Sequence, residues 1–165
     1  MNNLINDWTY EGTTYTITWL PDIDINSISP VTQSYGFCYN DENELLVVET
    51  LTSGKWQVPG GHLEASETAV DTLHREIIEE ADVKIKDIIY LGAQKITNNQ
   101  DDKFEYQVRY AARVEAVLPR TPDPDKGFII PRKFVDPYTY NQLADWGVIG
   151  DELIRLSMEK IGITE

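Results

Sequence analysis

Apolar and polar residues alternate along much of the chain, and the longest alternation runs from Phe104 to Leu118. Phe104, Tyr106, Val108, Tyr110, Ala112 and Val114 share one face there, while Glu105, Gln107, Arg109, Ala111, Arg113 and Glu115 share the other. A period of two predicts a strand. Thr13 to Trp19 reads the same way, with Tyr15, Ile17 and Trp19 on one face, and predicts an outer strand or hairpin ahead of the core. Tyr35 to Tyr39 and Glu44 to Glu49 predict a hairpin joined by the turn-rich Asn40-Asp41-Glu42-Asn43. Thr52-Ser53-Gly54-Lys55 then turns the chain into a strand at Trp56, whose ring is expected to pack. Lys84 to Ile96 is β-rich, and the polar segment Asn98 to Lys103 joins it to the long strand as an antiparallel pair.

The period changes in one central stretch. Ala69, Val70, Leu73 and Ile77 form an apolar stripe at helical spacing, with Ser66 as expected N-cap and Glu67 at the first helical position, where negative charge suits the helix dipole. Pro21 to Pro30 reads as an acidic connection in which Asp22 and Asp24 are expected to be solvated. Three prolines between Leu118 and Gly127 exclude helix and central strand. Phe128 to Val135, interrupted by Pro131, predicts a short edge strand. Helices are expected over Pro137 to Trp146 and Gly150 to Ile161, the second burying Leu153, Ile154, Leu156 and Ile161. Strands on both sides of one helix, followed by two more helices, predict an α/β chain with a mixed sheet between helical layers.

Length and composition narrow the class. The 165 residues, 41% of them hydrophobic, favour one domain over residues 1–165, with an N-terminal strand extension and C-terminal helices. A net charge of −14 argues against binding to duplex nucleic acid through its phosphates. A single cysteine, Cys38, in the apolar run YGFCY, excludes an intrachain disulfide and reads as a small buried hydrophobe. The segment MNNLINDW lacks the regions of a signal peptide, and no run approaches the ~20 apolar residues of a membrane span. A soluble, cytoplasmic protein without a membrane partner is expected.

The candidate chemistry lies in WQVPGGHLEASETAVDTLHREIIEEADV, Trp56 to Val83. Glu76, Glu79 and Glu80 fall at spacings that place three carboxylates on one helical face. Solvated and unpaired, each like pair disfavours the helix by roughly 0.2 to 0.5 kcal/mol, so a divalent cation is the natural partner. Magnesium takes oxygen ligands of this kind together with substrate phosphates. Pro59 holds Val58 extended, and Gly60-Gly61 then permits a turn with close backbone approach, which can bring a main-chain carbonyl near the carboxylates. His62 and His74 do not form a zinc-protease motif, and no glycine-rich phosphate loop of the P-loop or dinucleotide type occurs. His62 beside the glycine turn is a candidate ligand contact. Arg109 and Arg113 are candidates for substrate phosphates, with surface ion pairs to Glu105 and Glu115 as the plainer expectation.

Gly61, Glu67 and the run Arg75-Glu76-Ile77-Ile78-Glu79-Glu80-Ala81-Asp82-Val83 resemble the box of the Nudix hydrolase (MutT-like) family, G-x5-E-x7-R-E-U-x-E-E-x-G-U with U aliphatic. One position departs: Asp82 stands where the pattern has glycine, and Asp is among the few residues that tolerate a left-handed backbone there. The resemblance implies an α/β/α sandwich and a hydrolase using Mg2+ or Mn2+ to cleave a phosphoanhydride bond in a nucleoside diphosphate linked to another moiety. It implies Glu76, Glu79 and Glu80 as metal ligands, with a Gly60 or Gly61 carbonyl as an addition and Glu79 or Glu80 acting on the water. Arg75 and Glu67 are placed to orient the cluster. Many relatives carry a further glutamate shortly before the position of Phe134-Val135, where this chain has no acid. Either the box suffices, or one of Asp101, Asp102, Glu105, Glu115, Asp123 and Asp125 substitutes, or turnover is weak and the chain is a nucleotide-binding sensor. The family's frequent homodimers leave that state open, and the nucleotide substrate is unassigned.

Overall fold

The computed structural model describes residues 3–51 and 53–164; Met1, Asn2, Thr52 and Glu165, and with them parts of the predicted N-terminal segment and of the turn before Trp56, lie outside the described residues. The strands are β1 (Ile5–Tyr10), β2 (Thr13–Pro21), β3 (Val31–Tyr39), β4 (Leu45–Glu49), β5 (Trp56–Gln57), β6 (Gly60–His62), β7 (Val83–Asn98), β8 (Phe104–Val117) and β9 (Arg132–Val135). The helices are α1 (Ala69–Ala81), α2 (Tyr140–Ala144) and α3 (Gly147–Lys160). One mixed sheet runs in the order β1-β2-β7-β8-β3-β4-β5, with β6 on β3 and β9 on β4. The β3–β8 pair is parallel and the other pairs are antiparallel.

Both faces of the sheet's centre are covered, which explains why β3 and β4 read as near-continuous apolar runs. Cys38, Leu46 and Val48 point toward α1 and pack with Leu73, Ile77 and Ala81. Phe37, Tyr39, Leu45 and Val47 point the other way and pack with Ile149, Leu153 and Ile154 of α3. Leu73 and Ile77 are fully buried, each contributing about 1.5–3 kcal/mol through the area it removes from water. The result is the expected α/β/α sandwich. Among the described residues no helix is long and apolar enough to cross a membrane.

Several local expectations are corrected. Helix α1 is capped by Thr68 and not Ser66: Asp71 N–H donates to Thr68 Oγ1 (3.1 Å) and Thr68 N–H donates to Asp71 (2.9 Å), a reciprocal box that Ser66, at φ 68°, does not offer. Glu67 therefore precedes the helix. Val70 is exposed, so the buried stripe is Ala69, Leu73 and Ile77. The predicted helix from Pro137 resolves into a 3-10 turn over Pro137–Thr139 and the short α2, while α3 starts at Gly147. Strand β1, which the pattern did not single out, pairs with β2 along its whole length and makes the expected outer hairpin. In the predicted strand Phe128 to Val135 only Arg132–Val135 pairs, along β4. Asp24 caps a 3-10 turn through Asn26 N–H, and Asp22 approaches Lys160.

Candidate active site

Helix spacing puts the three box carboxylates on the side of α1 that faces β6, and β6 leaves room for them because two of its three residues are glycine. A Cβ on Gly61 would lie 2.4 Å from Glu76 Oε1. A Cβ on Gly60 would lie 2.2 Å from the Ser34 carbonyl oxygen, and Gly60 has φ 155°. Gly60 N–H donates to Glu80 Oε2 at 3.2 Å. Neither position accommodates a side chain without displacing the strand or the carboxylate.

Arg75 is the hub. Its Nε and Nη2 fork onto Glu67 (2.6 and 3.0 Å), and Nη1 reaches Glu76 (3.0 Å) and Glu79 (3.1 Å). Nη2 also donates to the His62 carbonyl at 2.9 Å, tying helix to glycine strand. The hydrogen bonds Arg75 donates to Glu67 hold the guanidinium pKa well above its ordinary value. Glu67 in turn is lowered to about 2 by Arg75, by Glu64 N–H and by Thr72. The ligand candidates shift the opposite way. Burial pushes Glu80 up to about 7, against Gly60 N–H and Lys126. Burial also raises Glu76 and Glu79, with Arg75 opposing. Within one cluster, donors favour the charged form of Glu67 while burial works against the charge on Glu76, Glu79 and Glu80.

Arg75, Glu76, Glu79 and Glu80 line one wall of a cleft of about 350 Å3, which Tyr35, Gln57, His62 and the loop residues Asp123, Asp125 and Lys126 complete. Of the six acids considered as replacements for the missing glutamate, Asp123 and Asp125 are the ones placed in this cleft. Lys126 Nζ lies 3.6 Å from Glu80 Oε1 and 3.7 Å from Asp123 Oδ2, so its ammonium bridges box and loop. Lys126, Tyr35 and Gln57 were not singled out from sequence. Among the described residues no three His, Cys, Asp or Glu side chains converge as a ready-made metal site: Glu76 and Glu79 turn to Arg75, and Glu80 to Gly60 and Lys126. Like charges separate onto the nearest cations and donors. The donor set nonetheless fits a hard divalent ion, because these are carboxylate oxygens, partly desolvated, beside a backbone that carries no side chain at Gly60 and Gly61.

His62 lines the cleft, and the Gln33 amide donates to its Nε2 at 3.2 Å. Arg109 is placed differently from either expectation. It is 4% exposed, donates to Gln94 and Gln107 side chains and the Val108 carbonyl, and lies against the Tyr35 ring. Arg113 donates to Asn43 and to the Asn40 and Ile161 carbonyls. Neither pairs with Glu105 or Glu115. Trp56 is half-buried under the Lys133 ammonium, 4.0 Å from its ring centroid, in keeping with packing.

Residues 33–153 match the NUDIX domain. A stretch of 54 residues, 33% of this chain, is 39% identical to the NAD-capped RNA hydrolase NudC of Pseudomonas syringae pv. tomato, and spans 19% of that protein's length. A structure of the Bacillus subtilis pyrophosphohydrolase BsRppH superposes with a TM-score of 0.67 at 18% identity, covering 98% of this chain and 96% of that one. The Caenorhabditis elegans Ap4A hydrolase superposes with a TM-score of 0.57 at 16% identity over 81% of this chain and 98% of that one. The structural likenesses carry the fold, and the domain match covers most of the chain: it belongs to the NUDIX family of hydrolases.

Proposed function

We propose that this chain is a Mg2+- or Mn2+-dependent hydrolase that cleaves a phosphoanhydride bond in a nucleoside diphosphate linked to another moiety. One observation carries the reading: three partly buried carboxylates stand on one helical face against Gly60 and Gly61, where a side chain would collide with Ser34 or Glu76. Glu76, Glu79 and Glu80 would hold the ion, with Asp123 of the opposite wall as a further oxygen donor. When bound, the ion neutralises phosphate charge and lowers the pKa of a coordinated water. Glu79, the most solvent-facing of the three, is also placed to take the proton of the attacking water. Arg75 holds Glu76 and Glu79 through one nitrogen, Nη1, and the fork of Nε and Nη2 on Glu67 fixes Arg75. Lys126 balances Glu80 and Asp123 until phosphate oxygens or a cation enter.

The competing sensor reading rested on Asp82 and on the absence of an acid near Phe134. Asp82 adopts φ 50° and ends the helix where glycine would, and Asp123 brings an acid to the cleft, so both motives lose weight. The test is a magnesium-dependent screen of nucleoside triphosphates, sugar nucleotides, ADP-ribose, dinucleotides, and NAD-capped and triphosphorylated RNA, reading product release. Glu79→Gln should lose turnover by a factor on the order of 10² or more with unchanged circular dichroism. Unaltered turnover in that folded variant would remove the box from the mechanism.

A further inference from the structure

The box position that departs from the family pattern carries a buried carboxylate that accepts three hydrogen bonds outside the cleft. Asp82 ends α1 in the left-handed region, and its N–H donates to the Ile78 carbonyl as a glycine's would. Its side chain, 5% exposed, does what no glycine can. Oδ2 accepts from Thr121 N–H (2.9 Å) and Arg120 Nη1 (3.1 Å), and Oδ1 accepts from Thr121 Oγ1 (2.6 Å). The surrounding main chain joins the same knot. Leu118 N–H donates to the Asp82 carbonyl at 2.8 Å, Arg120 reaches the Ile130 carbonyl, and Arg132 reaches the Ala81 carbonyl.

Leu118, Arg120, Thr121 and Ile130 belong to the segment that crosses from β8 to β9, which has no ladder of its own, and Arg132 opens β9 at its far end. Two residues after Thr121, Asp123 closes a tight turn by accepting Asp125 and Lys126 N–H groups, both at 2.9 Å, on Oδ1. Its other oxygen faces Lys126, whose ammonium faces Glu80. A prolyl loop without strand or helix partners would sample many positions. Asp82 fixes it two residues from the acid that matters.

We propose that Asp82 is a positioning residue: by clamping Thr121 and Arg120 to the end of the box helix, it sets Asp123 and Lys126 opposite Glu80. Where the family pattern has glycine this chain has a carboxylate that ties down the loop carrying Asp123, and the segment before Phe134 carries no acid. Restoring the family glycine should therefore weaken the site. The proposal rests on the metal-dependent reading of the cleft, yet its first readout needs neither metal nor substrate.

The experiment compares wild type with Asp82→Gly, Asp82→Asn and Thr121→Val, beginning with amide hydrogen exchange of metal-free protein. Asp82→Gly keeps the helix end, since glycine adopts the same backbone, so exchange in α1 should stay within about twofold while Thr121 to Gly127 exchange rises by about tenfold or more. Mn2+ titration by calorimetry should show an affinity falling by about three- to tenfold, and kcat should fall more than KM rises. Thr121→Val should move each readout in the same direction by less, and Asp82→Asn should recover part of the loss. Wild-type loop exchange and Mn2+ affinity in Asp82→Gly would overturn the proposal, as would equal loosening of α1 and loop. If wild type hydrolyses nothing in the screen, the proposed activity fails, while exchange and Mn2+ affinity still decide the clamp.

Discussion

Arg75 and Arg109 sit on opposite faces of one sheet and hold their charge by different means. Arg75, at the rim of the α1 face, is ringed by Glu67, Glu76 and Glu79, and that company holds its proton more tightly than usual. Arg109, on the α3 face, has no carboxylate partner among the described residues. Amide oxygens of Gln94 and Gln107 and the rings of Tyr35 and Trp146 surround it, and burial pushes its pKa down to about 10. A guanidinium is weakly hydrated and stacks on aromatic faces, so it survives there. The α1 face thus uses arginine to arrange acids, whereas the α3 face uses it as a long, flat packing piece with polar ends.

The largest expected effect separates the two roles. Arg75→Met leaves three partly buried carboxylates facing one another, and should destabilise the chain by about 3 kcal/mol, discounted for residual exposure, while abolishing most turnover. Arg109→Met replaces an unpaired buried cation by an apolar chain of similar length. It should change stability by less than about 1 kcal/mol and leave KM within about twofold. Urea unfolding of both variants, with kinetics on the substrate found by the screen, makes the comparison. A reversed order of destabilisation would mean that the Arg109 pocket, and not the box, is the electrostatic keystone.

Glycine sharpens the same contrast. The α3 face fills its space with Phe37, Tyr39 and Trp19, while the rim of the α1 face empties it at Gly60 and Gly61. Gly60→Ala drives a methyl into the Ser34 carbonyl at φ 155° and should cost about 2 kcal/mol. Gly61→Ala meets only the end of the Glu76 side chain, which can swing away. Its stability should fall by less, about 1 kcal/mol, with turnover reduced more than thermal stability. Thermal melts beside kcat for each variant would show whether the two glycines divide in this way.

What was legible in the chain follows from how far apart the partners lie. The carboxylates, Arg75 and Glu67 are bound to one another through helical spacing and one short turn, so their sequence positions carry most of their geometry. The alternating faces of β8 were readable for the same reason: Val108, Tyr110 and Ala112 do pack toward α1. Arg109 was not readable, because its neighbours come from β3, β7 and the start of α3, and alternation says only that it shares a face with Glu105. Lys126 and Asp123 were equally hidden. A prolyl loop shows no periodicity, and its docking depends on Asp82, a residue that reads in isolation as a mere exception to a pattern. The N-cap was missed by two residues because Ser66 and Thr68 both suit the role in composition, and only the reciprocal bond with Asp71 distinguishes them.

That cap sets the smallest effect, and it concerns how the acid-bearing helix of the α1 face is held in register. Thr68 N–H donating to the Asp71 carboxylate keeps Asp71 below the ordinary aspartate value, with the Thr68 hydroxyl assisting. The folded pKa is lower than the unfolded one, so the unfolded chain binds more protons as the solution is acidified. The stabilisation is therefore complete above the ordinary aspartate pKa and is lost as pH falls through the folded value. Asp71→Asn should flatten that acid limb of the stability curve by lowering stability slightly at neutral pH, where the charged carboxylate contributes, while matching wild type once Asp71 is protonated. Ser66→Ala should do neither, since its hydroxyl caps nothing, and a pH series of urea midpoints on the two variants separates the residue that starts the helix from the one that merely precedes it.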